Sequence, residues 1–274
     1  MERRIKKVGE GWFFAPSVVR RGMLNGEQQL FPPDLAWGFF SRHGGESLAP
    51  HDSLNVSFGV GDDPVRVRRN RQRIKEKLGL AVLASAQQVH GERILALDAP
   101  LAADQEFPGY DALITNQPGM GLMIQQADCQ AILLHDPMRR VIGNIHAGWR
   151  GSVAKTIAKT IAAMVARYGI NPGDLRAAIS PSLGPCCAEF VNHQEELPRE
   201  FHDYQVRPNY FDFWALSRDQ LQSAGVPEGQ IAINGRCTVC DRDYFSYRRE
   251  GQTGRFCSVI ALKEETTHGR HSAR

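Results

Sequence analysis

The feature that most constrains this chain is a succession of short apolar runs, each closed off by turn residues and each too short to stand as a helix. They lie at Ile94–Leu97, Asp111–Thr115, Leu122–Ala127, Gln130–His135 and Val141–His146. Runs of this length bounded by Gly, Pro, Asn or Asp read as strands, some of them buried on both faces. Further runs at Ala177–Ile179, Gln230–Ile233 and Phe256–Leu262 extend the set, while Phe213–Ala224 has helical character. Such a chain builds its core from sheets.

Two other helices carry full signatures. Asp63 is an N-cap with Pro64 at the first helical position, and Val67, Ile74 and Leu78 follow a helical stripe until Gly79. The second begins at Ser152, places Val153, Ile157, Ile161, Met164 and Val165 on one face, and stops at Gly169 before Pro172. Strands outnumber helices and their order does not repeat as βαβα. The expected class is therefore α+β with mixed β-sheets rather than a doubly wound parallel fold.

No internal repeat and no long Pro/Gly/Ser linker divides the 274 residues, so one domain over residues 31–263 is expected, between a polar N-terminal segment (1–30) and a fraying tail (264–274). A net charge of +3 is small against 33 basic and 30 acidic residues, which argues against an obligatory nucleic-acid or membrane partner. The longest apolar stretches fall far short of a membrane span, and residues 1–7 lack the apolar segment of a secretory signal. A cytoplasmic protein is expected, in which six cysteines serve as thiols, ligands or core residues rather than disulfides. Oligomeric state is not legible.

Three segments share one design, in which an apolar stretch ends in a residue that ligates metals. They are Gln87-Gln-Val-His-Gly91, Gln126-Ala-Asp-Cys129 and Val141-Ile-Gly-Asn-Ile-His-Ala-Gly-Trp-Arg-Gly151, offering His90, Cys129 and His146. A ligand at a strand end is held rigidly, and neighbouring glycines allow close approach. Two nitrogens and a thiolate suit Zn²⁺ in a site whose fourth position stays open. Copper fits the same donors, since the Irving–Williams order favours it. Spacings of 39 and 17 residues form no compact motif, and His and Cys at strand ends also serve purely structural roles.

The strings Gln88-Val-His-Gly91, Ala127-Asp-Cys129 and His146-Ala-Gly-Trp-Arg-Gly151 resemble the YfiH-like family, also known as laccase-domain or multicopper polyphenol oxidase-like proteins and as peptidoglycan editing factor. The likeness continues in Leu54-Asn55, Gly61-Asp-Asp-Pro64, Asn70-Arg71, Cys237-Thr-Val-Cys240, Phe245-Ser-Tyr-Arg-Arg249 and Thr253-Gly-Arg255, and spans roughly residues 35–262. It implies a single four-layer α/β/β/α sandwich and a His-Cys-His zinc site. It also implies purine nucleoside phosphorylase activity on adenosine, inosine, guanosine and methylthioadenosine, with adenosine deaminase activity. Ser180-Pro-Ser-Leu-Gly-Pro185 departs from the Gly-Pro start usual in that segment, and Ala188 stands where Tyr is common.

Deamination needs a hydroxide at neutral pH, which zinc supplies by acidifying bound water, and a proton shuttle, for which Asp128 and Asp111 are the candidates. Each carboxylate has an alternative reading as a turn residue or a group that orients a ligand. Phosphorolysis needs an anion site. Arg150, at the mouth of the Ser152 helix, is the candidate, and Arg71 on the first helix is a second cation. Asn55 and Gln88 are expected to meet the substrate, although both also read as loop hydrogen-bonders.

Several signals are discounted. Cys186-Cys187 with Cys237-Thr-Val-Cys240 suggests a four-thiolate zinc site, but a lone CxxC and an adjacent pair favour buried thiols. Cys257 alternates with apolar residues and is expected in the core. Tyr247, Arg248 and Arg249 read either as residues approaching the site or, more simply, as an exposed turn. A four-copper oxidase is disfavoured because nine histidines include no His-x-His pair. Two other classes stay open: a cysteine hydrolase or amidase editing peptidoglycan precursors, with Cys129 as nucleophile and His146 as base, and a nucleic-acid binder using the Arg-rich first helix.

Overall fold

Asp63 caps the first helix as its sequence requires: its carboxylate accepts the backbone N–H of Val65, Pro64 opens the helix, and Gly79 closes it in the left-handed conformation. The computed structural model describes residues 13–14 and 30–264. The polar ends expected over 1–30 and 264–274 thus fall almost wholly outside the described residues.

The strands are β1 (Phe13–Phe14), β2 (Leu35–Phe40), β3 (Val82–Gln87), β4 (Ile94–Leu97), β5 (Gln105–Pro108), β6 (Ala112–Thr115), β7 (Met120–Gln126) and β8 (Gln130–Asp136). They continue with β9 (Val141–Ala147), β10 (Arg176–Ile179), β11 (Gln205–Arg207), β12 (Tyr210–Phe211), β13 (Ile231–Ile233) and β14 (Phe256–Leu262). The helices are α1 (Pro64–Leu78), α2 (Trp149–Val153), α3 (Thr156–Tyr168), α4 (His193–Glu196), α5 (Phe213–Ser223) and α6 (Tyr247–Glu250).

Two mixed sheets result. The first runs β1-β2-β14-β7-β3-β5, the second β13-β10-β8-β9-β6-β4, and β11 and β12 form a separate hairpin. Parallel pairs occur at β3·β7, β3·β5, β4·β6 and β10·β13, and the remaining pairs are antiparallel. Strand alternation then sets the layers. On β7, Met120 and Leu122 face the second sheet while Met123 faces α1; on β9, Ile142 faces the first sheet while Val141 and Ile145 face α3. One apolar layer lies between α1 and the first sheet, one between the sheets, and one between the second sheet and α3 with α5. This is the mixed α/β/β/α arrangement expected.

The inter-sheet layer is not wholly apolar. Asn144 of β9 donates from Nδ2 to the carbonyls of Leu122 and Ser258, at 2.9 Å each, and so ties the second sheet to β7 and β14 of the first. Buried polar contacts of this kind fix the relation of two layers that apolar packing alone would let slide.

The second predicted helix is two. α2 ends at Val153 and α3 starts at Thr156, because Lys155 adopts the left-handed conformation at φ 60° and breaks the run without a Gly or Pro to announce it. Val165 is 39% exposed and so lies off the buried face. β2, β3 and β5 escaped the sequence reading, since Leu35-Ala-Trp-Gly-Phe-Phe40 and Val82-Leu-Ala-Ser-Ala-Gln87 show neither alternation nor β-branched enrichment. Among the described residues, no helix is long and apolar enough to cross a membrane.

Candidate metal centre

Chain topology alone brings the three predicted ligands together. His90 lies on the connection from β3 of the first sheet to β4 of the second, and Cys129 on the connection from β7 of the first to β8 of the second. β3 and β7 are parallel, so both crossings leave the same end of the molecule. His146, on the inward face of β9, points between the sheets at that end, opposite Ala131. The ligand atoms of all three lie within 4.8 Å of one another, with Cys129 Sγ 3.8 Å from His90 Nε2.

Asp111 organises the two histidines. Fully buried, it accepts from the backbone N–H groups of His90 (2.9 Å) and Gly91 (2.7 Å), holds His90 at its positive φ of 59°, and pairs with His146 Nδ1 at 2.8 Å. That pairing leaves His146 Nε2 for a ligand. Burial alone would raise the Asp111 carboxyl, but His146 and the Gly91 N–H outweigh it and hold the group below the usual carboxylate range. Burial likewise opposes the charges on Cys129 and His146, yet each stabilises the other, so the thiol is held down and the imidazole up.

The residues present fit a metal. A Cβ at Gly148 would lie 2.9 Å from Cys129 Sγ and 3.2 Å from His90 Cδ2, so the chain is bare where the ligands converge. Three donors of imidazole and thiolate type, one of them oriented by a buried carboxylate, form the set of an open Zn²⁺ or Cu site.

The trio opens into a cleft of about 1080 Å³. Its walls carry the aromatic rings of Phe58, Trp149, Phe190 and Tyr247, and the cations Arg248 and Arg255. Arg255 turns Nη1 back onto the carbonyls of Thr253 and Gly254, at 3.0 Å each, while Nε and Nη2 donate to no protein group among the described residues.

The family model described as multi-copper polyphenol oxidoreductase laccase matches residues 36–263. The chain belongs to this family. Among similar proteins, purine nucleoside phosphorylase YlmD of Geobacillus stearothermophilus is 34% identical over 250 residues, covering 84% of this chain and 91% of that protein. A purine nucleoside phosphorylase of Deinococcus radiodurans is 36% identical over 246 residues, covering 85% and 92%. The crystal structure of YlmD from Geobacillus stearothermophilus superimposes with a TM-score of 0.78 at 32% identity, covering 89% of this chain and 97% of that one. The laccase-family fold is thus this chain's fold over nearly all its described length.

Of the candidate residues beyond the ligands, Gln88 and Asp128 line the cleft. Gln88 exchanges hydrogen bonds with the backbone of Gln125 (2.8 and 2.9 Å), and Asp128 accepts from Thr238 Oγ1 and the Arg248 N–H, at 2.7 Å each. The others stand elsewhere. Asn55 is buried and spends its amide on Ser57, Asp62 and the Arg255 N–H, so it shapes the wall without reaching a substrate. Arg71 is buried too, held by Val56 O, Ser85 and Glu106, with its guanidinium over the Phe58 ring. Arg150 is exposed in the first turn of α2, stacked on Trp149 and off the cleft wall, because the helix starts three residues earlier than its sequence suggested. Asp111 lies behind His146 rather than in the cleft, and its hydrogen bonds suit orientation better than proton transfer.

Conversely, the segment read as an exposed turn supplies two cleft residues, Tyr247 and Arg248, although Tyr247 is indeed 61% exposed. Arg249 turns inward onto the carbonyls of Thr238, Val239 and Tyr244. The strings around Tyr247 and Arg255 were the available signal; nothing in them told which side chains face the site.

Proposed function

We propose that this chain is a zinc-dependent purine nucleoside phosphorylase, using His90, Cys129 and His146 as metal ligands, and that it also deaminates adenosine. The observation that carries the reading is the union, in one cleft, of a soft three-donor site, aromatic walls and two arginines, in a chain similar over most of its length to proteins named purine nucleoside phosphorylase. Adenosine, inosine, guanosine and methylthioadenosine are the substrates, each with phosphate.

Phe190 and Tyr247 offer faces to a purine, and Arg248 and Arg255 replace Arg150 and Arg71 as the phosphate-binding cations. In phosphorolysis a phosphate oxygen bonds to the ribose C1′, the glycosidic bond breaks, and the base leaves with its electron pair. Arginines beside the attacking phosphate hold it in line and lower the cost of bringing two reactants together. Zinc, when bound, supplies Lewis acidity. Asp128 lines the cleft, which supports assigning to it the exchange of a proton with the departing base or amine.

The cations of α1 are largely spoken for: Arg66 pairs with Asp63, Arg69 and Arg73 with Glu46, Arg71 with Glu106, and Lys75 with Asp104. That compensation weighs against a nucleic-acid surface. One observation favours a different enzyme, a cysteine hydrolase. Cys129, His146 and Asp111 follow one another as a nucleophile, a base and its orienting carboxylate would. A thiolate bound to metal is poorly available for acyl transfer, so metal content separates the two.

The test is incubation of metal-quantified protein with adenosine and inosine, with and without phosphate, and chromatography of the products. Phosphate-dependent ribose 1-phosphate, lost in His90→Ala, is expected, and Arg255→Met raises the KM for phosphate at least tenfold. No turnover of any nucleoside by the zinc form, together with amidase activity abolished by alkylating Cys129, would reverse the assignment.

A further inference from the structure

Away from the His-Cys-His centre, the fold gathers the four cysteines that their spacing left unpaired. Cys186 and Cys187 follow β10, and Cys237 and Cys240 follow β13, its parallel neighbour. The two strands continue side by side past the sheet, with Ser182 N–H donating to Arg236 O at 3.1 Å and Thr238 N–H to Ser182 O at 3.0 Å. All four Sγ atoms lie within 4.8 Å of one another.

The expectation of buried thiols is corrected here. Only Cys237 is buried; Cys186 and Cys240 are exposed and Cys187 is intermediate. A packing role explains a buried thiol and does not explain four sulfurs converging at a surface.

We propose that Cys186, Cys187, Cys237 and Cys240 bind a zinc ion as a closed four-thiolate site that braces the wall of the cleft. Zinc–sulfur bonds of about 2.3 Å in a tetrahedron put the sulfurs about 3.8 Å apart. Cys240 Sγ is 3.6 Å from Cys186 Sγ and 3.5 Å from Cys187 Sγ, close to that edge and far beyond the ~2.05 Å of a disulfide. Adjacent cysteines reach one centre because the chain turns sharply there: the N–H groups of Cys187 and Ala188 both donate to Gly184 O at 2.9 Å.

The surroundings fit a thiolate cluster. The Gly184 N–H donates to Cys237 Sγ at 3.4 Å, and a Cβ at Gly184 would stand 2.9 Å from Cys237 Cβ, so the two segments touch only because residue 184 is glycine.

A closed site has no position for substrate, so its role is to hold structure. Both segments grip Asp128: the Leu183 N–H donates to its carbonyl at 2.8 Å, and Thr238 Oγ1 to its carboxylate at 2.7 Å. Asp128 has φ 88° and precedes the ligand Cys129. Zinc between the segments would therefore fix the loop that carries a ligand of the other centre. The proposal is independent of which reaction the cleft performs.

The experiment measures zinc per chain in the purified full-length protein, in a Cys186→Ser/Cys240→Ser variant and in a His90→Ala/His146→Ala variant. Each variant is expected to lose one equivalent relative to the unsubstituted chain. Cobalt exchange supplies a reading that does not depend on the cysteine variant folding. The His90→Ala/His146→Ala protein loaded with cobalt should show intense thiolate-to-cobalt charge transfer and the visible bands of a tetrahedral four-sulfur site. A cysteine variant with undiminished zinc, a histidine variant with no such cobalt spectrum, or a disulfide among the four cysteines in the native protein would overturn the proposal.

Discussion

Asp111 touches nothing in the cleft, yet both histidine ligands hang from its two oxygens, one through a ring nitrogen and one through backbone N–H groups. Replacing it with Asn keeps the shape but leaves an amide nitrogen facing donors, and it removes the charge that fixes the His146 tautomer. Asp111→Asn is expected to weaken metal binding by about 10–100-fold, measured by competition with a chelator. Unchanged retention would show that the carboxylate serves only the turn at Val89–Gly91. The contrast with Asn55 is instructive, because both are buried polar residues beside the site and both looked like reagents in the sequence. Residue type could not reveal that their polar atoms are already committed, Asn55 to the Arg255 backbone and Asp111 to the ligands. Arg255, by contrast, was visible in the sequence only as the end of the string Thr253-Gly-Arg255, which does not tell that its side chain reaches the cleft.

At the level of elements, the break between α2 and α3 invites a direct test. Lys155 sits at φ 60° and ψ 38°, where a Cβ crowds the following carbonyl and glycine does not suffer. Lys155→Gly is expected to leave the fold intact and to raise stability by up to about 1 kcal/mol, the relief being offset in part by glycine's greater unfolded entropy. Urea unfolding measures it, and a loss of more than that amount would mean that the lysine side chain holds the corner. The same corner shows what the sequence could not tell. α1 was legible to the residue because Asp63, Pro64 and Gly79 act locally, on the backbone beside them. The α2–α3 corner depends on packing against β9, and no local residue marks it. β9, which carries His146, was legible as an apolar run, and β4 and β14 were legible to their ends, whereas β2 and β3 were missed because Gly38, Ala84 and Ala86 interrupt the pattern of large apolar side chains. The ligand trio itself was named from strings of residues, and its convergence came only from the way β3 and β7 pass to the other sheet. The four cysteines were misjudged for the same reason, since proximity of β10 and β13 is a property of sheet order and not of spacing along the chain.

At the scale of the whole molecule, stability rests in part on the apolar layer between the sheets, and in that layer, away from the metal centre, His135 can take up a proton. His135 of β8 is 1% exposed, neither ring nitrogen has a hydrogen-bond partner among the described residues, and its ring meets Phe31 edge-on at 6.2 Å. Burial is the main cause that lowers its pKa from the ordinary 6.5 to about 4; Asp34 opposes the shift, while Arg176 and Arg140 add to it. The unfolded chain therefore binds a proton at this position from pH 6.5 downward, and the folded chain does not until about pH 4. Because the unfolded state holds more protons across that window, folding stability falls as pH drops through it. A shift of this size corresponds to roughly 3 kcal/mol at the acid end, an upper figure, since any opening of the layer lets water reach the ring. His135→Leu keeps the layer apolar and removes the titration, so its unfolding free energy should decline less than that of the unsubstituted protein between pH 6.5 and 4. Both curves share every carboxylate, so the difference between them isolates the histidine. Parallel curves in urea unfolding at matched ionic strength would mean that the ring is protonated in the fold and that the two sheets tolerate a charge between them.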